Sequence, residues 1–417
     1  QRADRTLRSV TAQREVFGFS ANEIQLALAR KWQLPDLLIH LMDESSADNP
    51  RVRTVALANA LARHNAKGWR NPAIPDDLTV AMADYLEARP ISLQAISDDG
   101  RAILMTTRLQ ETSQLFYLDD SLSEPKQLTF EQEPVRSARF IPGANAYATF
   151  MADIGGNEQY QVLRLELATG KTSLLTDGKS RHGSYLWSPS GQFMLVTNNA
   201  RNGRDMDLYL SDGTSTELTP LLETQGYWYP LDISHDEKQV ILGQYISAQS
   251  SRVYLFDLDS KALTELTPRD KPGANRQARF SPDGRSVFLS SDRDREHLSL
   301  FEIDLASQRW SLLSEEIPWS VEQISISTST SSVAFSVNAD GYSQLYLLNL
   351  KDRSISPVKT PKGILGSLKM ARSNALAAFT FRGAADIGSI FSLSLSSGER
   401  KEIARGDLGE LKTSELV

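Results

Sequence analysis

The feature that most constrains the fold of this chain is a unit of about 46 residues that recurs along most of its length. Its clearest copy spans residues 276–313 and reads as four short strands, at 277–280, 286–290, 298–304 and 309–312. The first two strands are joined by Ser281-Pro-Asp-Gly284, in which proline presets one backbone angle and the residues after it tolerate a positive φ. β-Branched and aromatic residues fill the flanking runs, as is typical of strands.

The same layout occurs seven times, and the turn between the first two strands starts at Ser97, Ile141, Ser188, Ser234, Ser281, Ser327 and Arg372. Successive copies are therefore 44 to 47 residues apart. One such unit cannot bury both of its faces, whereas neighbours arranged in a ring can. A solenoid also repeats, but its period is usually shorter and four strands per unit do not fit it. We therefore predict a mainly β fold, a seven-bladed β-propeller over residues 91–405.

Each predicted blade is built from contiguous sequence. The first blade starts with the strand at 91–96, and the seventh supplies its own outer strand near 400–404. No strand is left over to interlock the first blade with the last. We expect the ring to be held only by packing between blades.

The first ninety residues lack the four-strand repeat and have apolar residues at helical spacing, which predicts a small all-α segment, residues 1–90. Ser20 and Glu23 form a capping-box pattern ahead of Ile24, Leu28 and Trp32, which are spaced as on one face of a helix. Further helices are predicted at 36–42, 52–65 and 76–87, and Pro90 marks the junction with the propeller.

Composition excludes several classes of function. The net charge is −7 and no long Lys/Arg run occurs, so nucleic acid is not an expected partner. No apolar stretch approaches the roughly 18 residues of a membrane span. The absence of cysteine removes disulfides, thiolate metal sites and cysteine nucleophiles. Because the sequence opens with Gln1, we expect a fragment that lacks its natural start, located in the cytoplasm, or in the periplasm if a leader was lost.

No catalytic, cofactor or metal site is predicted. A nucleophile elbow needs Gly-x-Ser-x-Gly, and the nearest string, Gly341-Tyr-Ser343-Gln-Leu345, lacks the last glycine. Ser343 is interpreted as a loop hydroxyl. His235 is interpreted as a turn residue, and none of the five histidines has the spacing of a metal ligand. The pairs Asp205/Asp207 and Asp292/Asp294 are interpreted as solvated loop ends.

The remaining functional surface is the set of loops that join the second and third strands, which must gather on one face of a propeller. These loops are polar and charged, as binding loops tend to be. Binding to a peptide or a protein partner is predicted there, with these candidate residues: Asp153, Asn157, Glu158, Arg204, Asp292, Arg293 and Arg295.

The helical segment resembles the C-terminal part of HDOD domains, which are bacterial regulatory relatives of HD-type phosphohydrolases. The matching residues are Phe17-Gly18, Asn22-Glu23-Ile24, Leu28-Ala29 and the stretches 32–35, 57–69 and 74–77. Asn22 stands where this family often has histidine. The resemblance implies a truncated regulatory segment without metal catalysis, and one option it leaves open is a signalling fusion in which this segment regulates the propeller.

The propeller resembles the N-terminal propeller of the prolyl oligopeptidase family, in particular its dipeptidyl aminopeptidase and acylaminoacyl peptidase branches. The resemblance is carried by Asp153-x-x-Gly156-Asn157-Glu158-Gln159-Tyr160, by the stretches 163–170, 280–285 and 290–294, and by the terminal Ser414-Glu-Leu-Val417. The blade motifs alone are shared with TolB-like propellers.

The resemblance implies that this propeller gates and orients peptide substrates of a serine peptidase. Its catalytic triad would lie in an α/β-hydrolase domain after Val417, and residues 406–417 would be the linker to that domain. The alternative is a TolB-like propeller that binds a protein partner and has no peptidase.

Overall fold

The computed structural model describes residues 87–409 apart from 110, 111, 145, 269 and 270, and before them residues 17–32 with a few single positions. Within the N-terminal part, helix α1 (Ala21–Lys31) begins as its sequence predicts. The Ser20 hydroxyl accepts a hydrogen bond from Glu23 N at 3.2 Å, and Ser20 N donates to the Glu23 carboxylate at 2.7 Å. The helices predicted at 36–42, 52–65 and 76–87 lie outside the described residues, apart from isolated positions.

Residues Arg89–Asp407 form one compact unit of seven four-stranded antiparallel sheets, each with its strands in chain order. The first four blades contain β1 (Ile91–Ile96), β2 (Ala102–Leu109), β3 (Thr112–Asp119), β4 (Lys126–Gln127); β5 (Arg136–Phe140), β6 (Tyr147–Ala152), β7 (Gln161–Glu166), β8 (Thr172–Leu174); β9 (His182–Trp187), β10 (Met194–Asn198), β11 (Asp207–Ser211), β12 (Thr219–Leu222); and β13 (Tyr227–Ile233), β14 (Gln239–Ser247), β15 (Ser250–Asp257), β16 (Leu263–Glu265).

The last three blades contain β17 (Asn275–Phe280), β18 (Ser286–Ser291), β19 (Ser299–Asp304), β20 (Trp310–Leu312); β21 (Ser320–Ile326), β22 (Ser332–Ala339), β23 (Tyr342–Asn349), β24 (Ile355–Val358); and β25 (Ile364–Met370), β26 (Leu376–Gly383), β27 (Asp386–Ser394), β28 (Arg400–Arg405). The predicted seven-bladed propeller is confirmed, and every blade is formed from contiguous sequence.

The recurring Ser-x-Asp-Gly turn owes its shape to a small hydrogen-bond network. In the fifth blade the Ser281 hydroxyl donates to Asp283 at 2.6 Å and accepts from Ser286 N at 3.0 Å. The Asp283 carboxylate in turn accepts from Arg285 N at 3.1 Å, and Gly284 takes a φ of 71°. Because glycine has no Cβ, this left-handed conformation carries no steric cost there. The first and fourth blades repeat the network with Ser97/Asp99 and Ser234/Asp236.

The hydrophobic core is divided among the interfaces between blades. Each of the seven buried apolar clusters combines side chains from two neighbouring blades. Buried Phe150, Phe288, Phe335 and Phe379 lie on the second strands of their blades, between two neighbours. No blade therefore has a core of its own, which is the physical reason for closing the ring.

Ring closure rests on contacts between the seventh and first blades. One apolar cluster joins Ile103 and Met105 to Ala378 and Ile390. Leu93 N also donates to the Thr380 hydroxyl at 2.8 Å. The expected packing is present, but the expectation of closure by packing alone was wrong, because hydrogen bonds also join the two blades.

The two ends of the ring differ in their connections. At the end that we call the turn end lie the turns between first and second strands and those between third and fourth strands. At the opposite end, the loop face, lie the loops between second and third strands and the connections between blades. The unit also begins and ends at the loop face, where Arg89 N donates to Asp407 O at 2.6 Å.

The predicted linker lies mostly outside the described residues, which end at Gly409. Its role as a connection to another domain stays a prediction. In the part of the chain that the structure describes, no helix combines the length and apolar composition needed to span a lipid bilayer.

Candidate functional site

All seven candidate residues lie at the loop face, in the second-to-third-strand loops of blades 2, 3 and 5. The repeat topology accounts for this, because strands of equivalent position run in the same direction around the ring. The three loops differ in the contacts that hold their charged side chains.

The loop of the second blade is a compact polar turn after β6. The Asp153 carboxylate is buried and accepts a hydrogen bond from Glu158 N at 2.8 Å. Asn157 accepts from Gln159 N at 2.9 Å through its side-chain oxygen. The buried Asp153 side chain therefore stabilises the conformation of the loop, whereas Asn157 and Glu158 are exposed.

The loop of the third blade contains two ion pairs in which a buried carboxylate binds an arginine that reaches the surface. Arg204 binds Asp205 through two nitrogens at 3.1 and 3.0 Å, and Arg201 binds Asp207 in the same forked manner at 2.7 and 3.0 Å. These arginines, together with backbone N–H donors at Gly226 and Thr224, hold the pKa of both carboxyls below the usual range. The interpretation of Asp205 and Asp207 as solvated loop ends was wrong, because both side chains are almost fully buried.

The loop of the fifth blade is tied down at each candidate residue. Asp292 accepts a hydrogen bond from Ala274 N at 2.7 Å, and the Arg293 guanidinium lies 4.6 Å from the centre of the Trp310 ring. Arg295 donates to Glu315 O at 3.1 Å. Only Asp294 fits the solvated interpretation of this loop, since it is exposed and pairs with Lys271 at 2.9 Å.

Sequence reasoning missed the exposed apolar side chains of the loop face. The most exposed are Phe130, at 80%, and Ile154, at 75%. The others at this face are Tyr227, Tyr245, Ile246, Trp319, Tyr342 and Ile364. Leu174, the last residue of β8, is exposed at the outer edge of this face, and the exposed large apolar side chains at the turn end of the described propeller are Leu122 and Leu263. A signal was present, because Phe130, Ile154 and Trp319 interrupt otherwise polar or proline-containing connections.

Two groups that a hydrolase could use, the Ser343 hydroxyl and the His182 imidazole, make structural contacts in this propeller. Ser343 lies in β23, is buried, and accepts a hydrogen bond from Leu365 N at 3.0 Å, so its interpretation as a loop hydroxyl was wrong in location. His182 is buried with Nδ1 at 3.1 Å from Tyr160 O, and burial lowers its pKa. The nearby Asp177 accepts from Ser180 rather than from this histidine. This is not the serine–histidine–carboxylate order of a hydrolase triad.

Within the described ranges, no group of three or more His, Asp or Glu side chains is placed to hold a metal ion. Clefts do occur at the rim of the turn end, and the larger of two neighbouring ones has a volume of about 530 Å³ between the seventh and first blades. The smaller contains Tyr117, whose pKa burial and the adjacent Asp119 raise to about 12. Several of their polar groups bond to one another, among them Ser97 with Asp99 and Tyr117 with Asp119.

Comparison with known proteins places this architecture beside peptidases. No family model matches the chain. The fold resembles that of a prolyl endopeptidase from a study of inter-domain dynamics in two such enzymes, with a TM-score of 0.67, 15% identity, and coverage of 89% of this chain and 57% of that one. It also resembles a puromycin-hydrolysing peptidase of Mycobacterium tuberculosis, with a TM-score of 0.64, 12% identity, and coverage of 77% and 53%.

A TolB protein from Agrobacterium tumefaciens matches over 56% of this chain and 83% of its own, at 17% identity and a TM-score of 0.45, which is too low to support an argument. At such identities the two peptidases show a shared fold alone. This chain spans only 57% and 53% of their lengths.

Proposed function

We propose that this propeller is the non-catalytic part of a serine peptidase of the prolyl oligopeptidase type, and that its loop face covers an α/β-hydrolase domain and orients short peptides toward it. The observation that supports this most is the coincidence of two features at one face. The exposed apolar side chains gather there, and so do both ends of the propeller chain, at Arg89 and Asp407.

Exposed apolar patches of this kind are typical of surfaces that another protein covers. A domain that continues the chain after the propeller would start at the loop face and could pack on it without a long crossing connection. The fold likeness to two longer peptidases agrees with this arrangement. The resemblance of residues 1–90 to HDOD domains and a cytoplasmic location stay parts of the proposal, with the periplasm as the alternative.

The first test uses the chain as it stands. Because the proposed triad lies in another domain, we expect neither peptide hydrolysis nor labelling by a serine-directed fluorophosphonate. Reproducible labelling would contradict the proposal. A reading frame that continues past residue 417 into a Gly-x-Ser-x-Gly elbow supports it, whereas an immediate stop codon favours the TolB-like protein binder.

The second test uses the full-length product and asks which face is covered. Ile154→Asp and Trp319→Asp place a charge on the loop face, and Leu122→Asp is the matched control at the turn end. If the loop face packs on the hydrolase domain, the first two variants uncover the active site. We then expect the preference for short peptides over an unfolded protein substrate to fall about tenfold, a change of about 1.4 kcal/mol. An equal fall in Leu122→Asp would contradict the assignment of the face.

A further inference from the structure

A cluster of charged side chains lies inside the ring, on the strands that line its centre. In four blades the first strand carries a charged residue at the same position. Two residues further on, a backbone N–H donates a hydrogen bond across the turn between the first and second strands. That N–H belongs to Ile141, Ser234, Ser281 and Ala371. The charged residues are therefore at one level of the ring: Arg139 on β5, Asp232 on β13, Arg279 on β17 and Lys369 on β25.

These charges act on one another across the ring. Lys369, in the seventh blade, has its pKa lowered to about 7, first by burial and then by Arg139 of the second blade and Arg279 of the fifth. The pKa of Arg139 is lowered, first by burial. The charge of Arg279 also lowers this pKa, whereas the charge of Asp232 in the fourth blade raises it. Residues in blades that are not neighbours can interact in this way only if their side chains converge on the axis.

The cations of the cluster are incompletely paired. Arg139 Nε is buried without a hydrogen-bond partner among the described residues, and its guanidinium stacks 5.5 Å from the centre of the Tyr185 ring. Within the same residues no hydrogen bond or ion pair is found for the Lys369 ammonium. Arg279 donates to Leu231 O at 2.9 Å. Burying a charge without a partner is costly, so such a group calls for a ligand or a structural reason.

The one carboxylate in the cluster does not balance it. Asp232 accepts a hydrogen bond from Phe280 N at 2.9 Å, and burial raises its pKa. Three cations therefore face one acid whose charged form is itself disfavoured. The centre of the ring is positive, although the chain as a whole has a net charge of −7.

The two openings of the tunnel differ. At the turn end Arg372 of the seventh blade donates to Pro189 O of the third blade at 2.8 Å, and this contact spans the opening. Toward the loop face, two residues before each charge, the same inner strands have the uncharged residues Ser137, Pro230, Gln277 and Ser367. An ion would therefore reach the cluster from the loop face.

We propose that Arg139, Arg279 and Lys369 bind a small polyvalent oxyanion, a phosphate or a polycarboxylate, on the axis of the propeller. Guanidinium groups bind the oxygens of both anion types through paired hydrogen bonds, and a low-dielectric tunnel concentrates the attraction. The anion supplies the partner that Arg139 Nε and Lys369 lack. This site does not depend on the presence of a hydrolase domain.

The test is calorimetric titration of the whole chain with two probes, tripolyphosphate and propane-1,2,3-tricarboxylate, at pH 6.5 and low salt. We expect one anion per chain, and the tighter probe identifies the source of the ligand. Lys369→Met and Arg139→Gln should weaken binding at least about tenfold, as expected for a lost charged hydrogen bond. Asp232→Asn should tighten it, since the competing carboxylate is removed.

Arg276→Gln is the matched control, because Arg276 lies on the same strand as Arg279 but is exposed. It should bind as the unsubstituted chain does. Binding of neither probe would overturn the proposal, and so would equal weakening in Arg276→Gln and Arg139→Gln, which indicates diffuse surface attraction. Thermal melting of each variant shows whether the ring is intact.

The dependence on pH gives a second readout. Because the free Lys369 has a pKa of about 7, affinity should fall as the pH rises from 6 to 8.5, and binding should take up protons near neutrality. Asp232 could contribute at the acidic end, so the measurement is repeated in Asp232→Asn. A dependence that persists unchanged in Lys369→Met would refute the role of this lysine.

Discussion

The turn end and the loop face of the propeller have the same backbone plan but different chemistry. At the turn end, polar contacts tie turns of different blades together. Ser373 N of the seventh blade donates to Asp98 O of the first at 2.9 Å, and the Arg372 contact crosses to the third blade. At the loop face, large apolar side chains are exposed, and Arg382 of the seventh blade donates to Ser92 of the adjacent first blade.

This difference shows how a repeat fold divides its work between its ends. At the turn end, many polar groups bond to one another across blades as well as within them. The loop face leaves apolar area in water, which costs free energy unless another surface covers it. Substitutions of comparable residues at the two ends test whether the turn end stabilises the ring and the loop face does not.

Among substitutions that compare the two ends of the ring, the largest effect is expected from glycine replacement. Gly191 at the turn end has a φ of 73°, and a Cβ there would overlap the carbonyl oxygen of Pro142 in the neighbouring blade. Because backbone cannot rotate away as a side chain can, Gly191→Ala should lower the free energy of unfolding by about 3 kcal/mol. Urea unfolding measures this.

The control for this change lies at the loop face. Gly341 has a similar φ of 84° with open space around it, so Gly341→Ala should cost only about 1 kcal/mol, the penalty of the left-handed conformation. Equal costs at the two positions would show that the turns are not packed against each other as described.

A smaller effect is expected from the arginine that crosses the ring. Arg372→Ala removes a partly buried charged hydrogen bond to Pro189 O and should cost about 2 kcal/mol in the same urea experiment. Arg382→Ala is the counterpart near the loop face, where the exposed guanidinium donates to the Ser92 hydroxyl at 2.6 Å. Its cost should stay below about 1 kcal/mol. If Arg382→Ala cost more than Arg372→Ala, the turn end would not be the end that is stabilised by contacts across the ring.

Much of the propeller could be predicted because its signals are local and repeated. The turn residues, the alternation of apolar strands and the spacing of the copies all follow from one blade's needs, and the structure confirms the blade count and the outer strand of the seventh blade. The cap of α1 is equally local, since Ser20 and Glu23 are three residues apart.

The functional features could not be predicted in the same way, because they depend on which side chains meet across blades. The pattern around Asp205 and Asp207 looks like an exposed loop until Gly226 and Thr224, from the connection to the next blade, close over it. The charges of Arg139, Arg279 and Lys369 are 90 or more residues apart in sequence, and only the closed ring brings them to one axis. Aligning the copies by their turns would have placed them at one level.

The smallest effect on stability is expected at the loop face itself. Phe130→Ser and Ile154→Ser replace side chains that are already in water, so the free energy of unfolding should change by less than about 0.5 kcal/mol. Buried Phe335→Ala should cost about 3–5 kcal/mol. The two surface variants should nevertheless reduce the binding of a hydrophobic fluorescent dye to the folded chain, because they remove exposed apolar area. Marked destabilisation by either variant would mean that the side chains of this face stabilise the folded propeller itself and are not a surface for a partner.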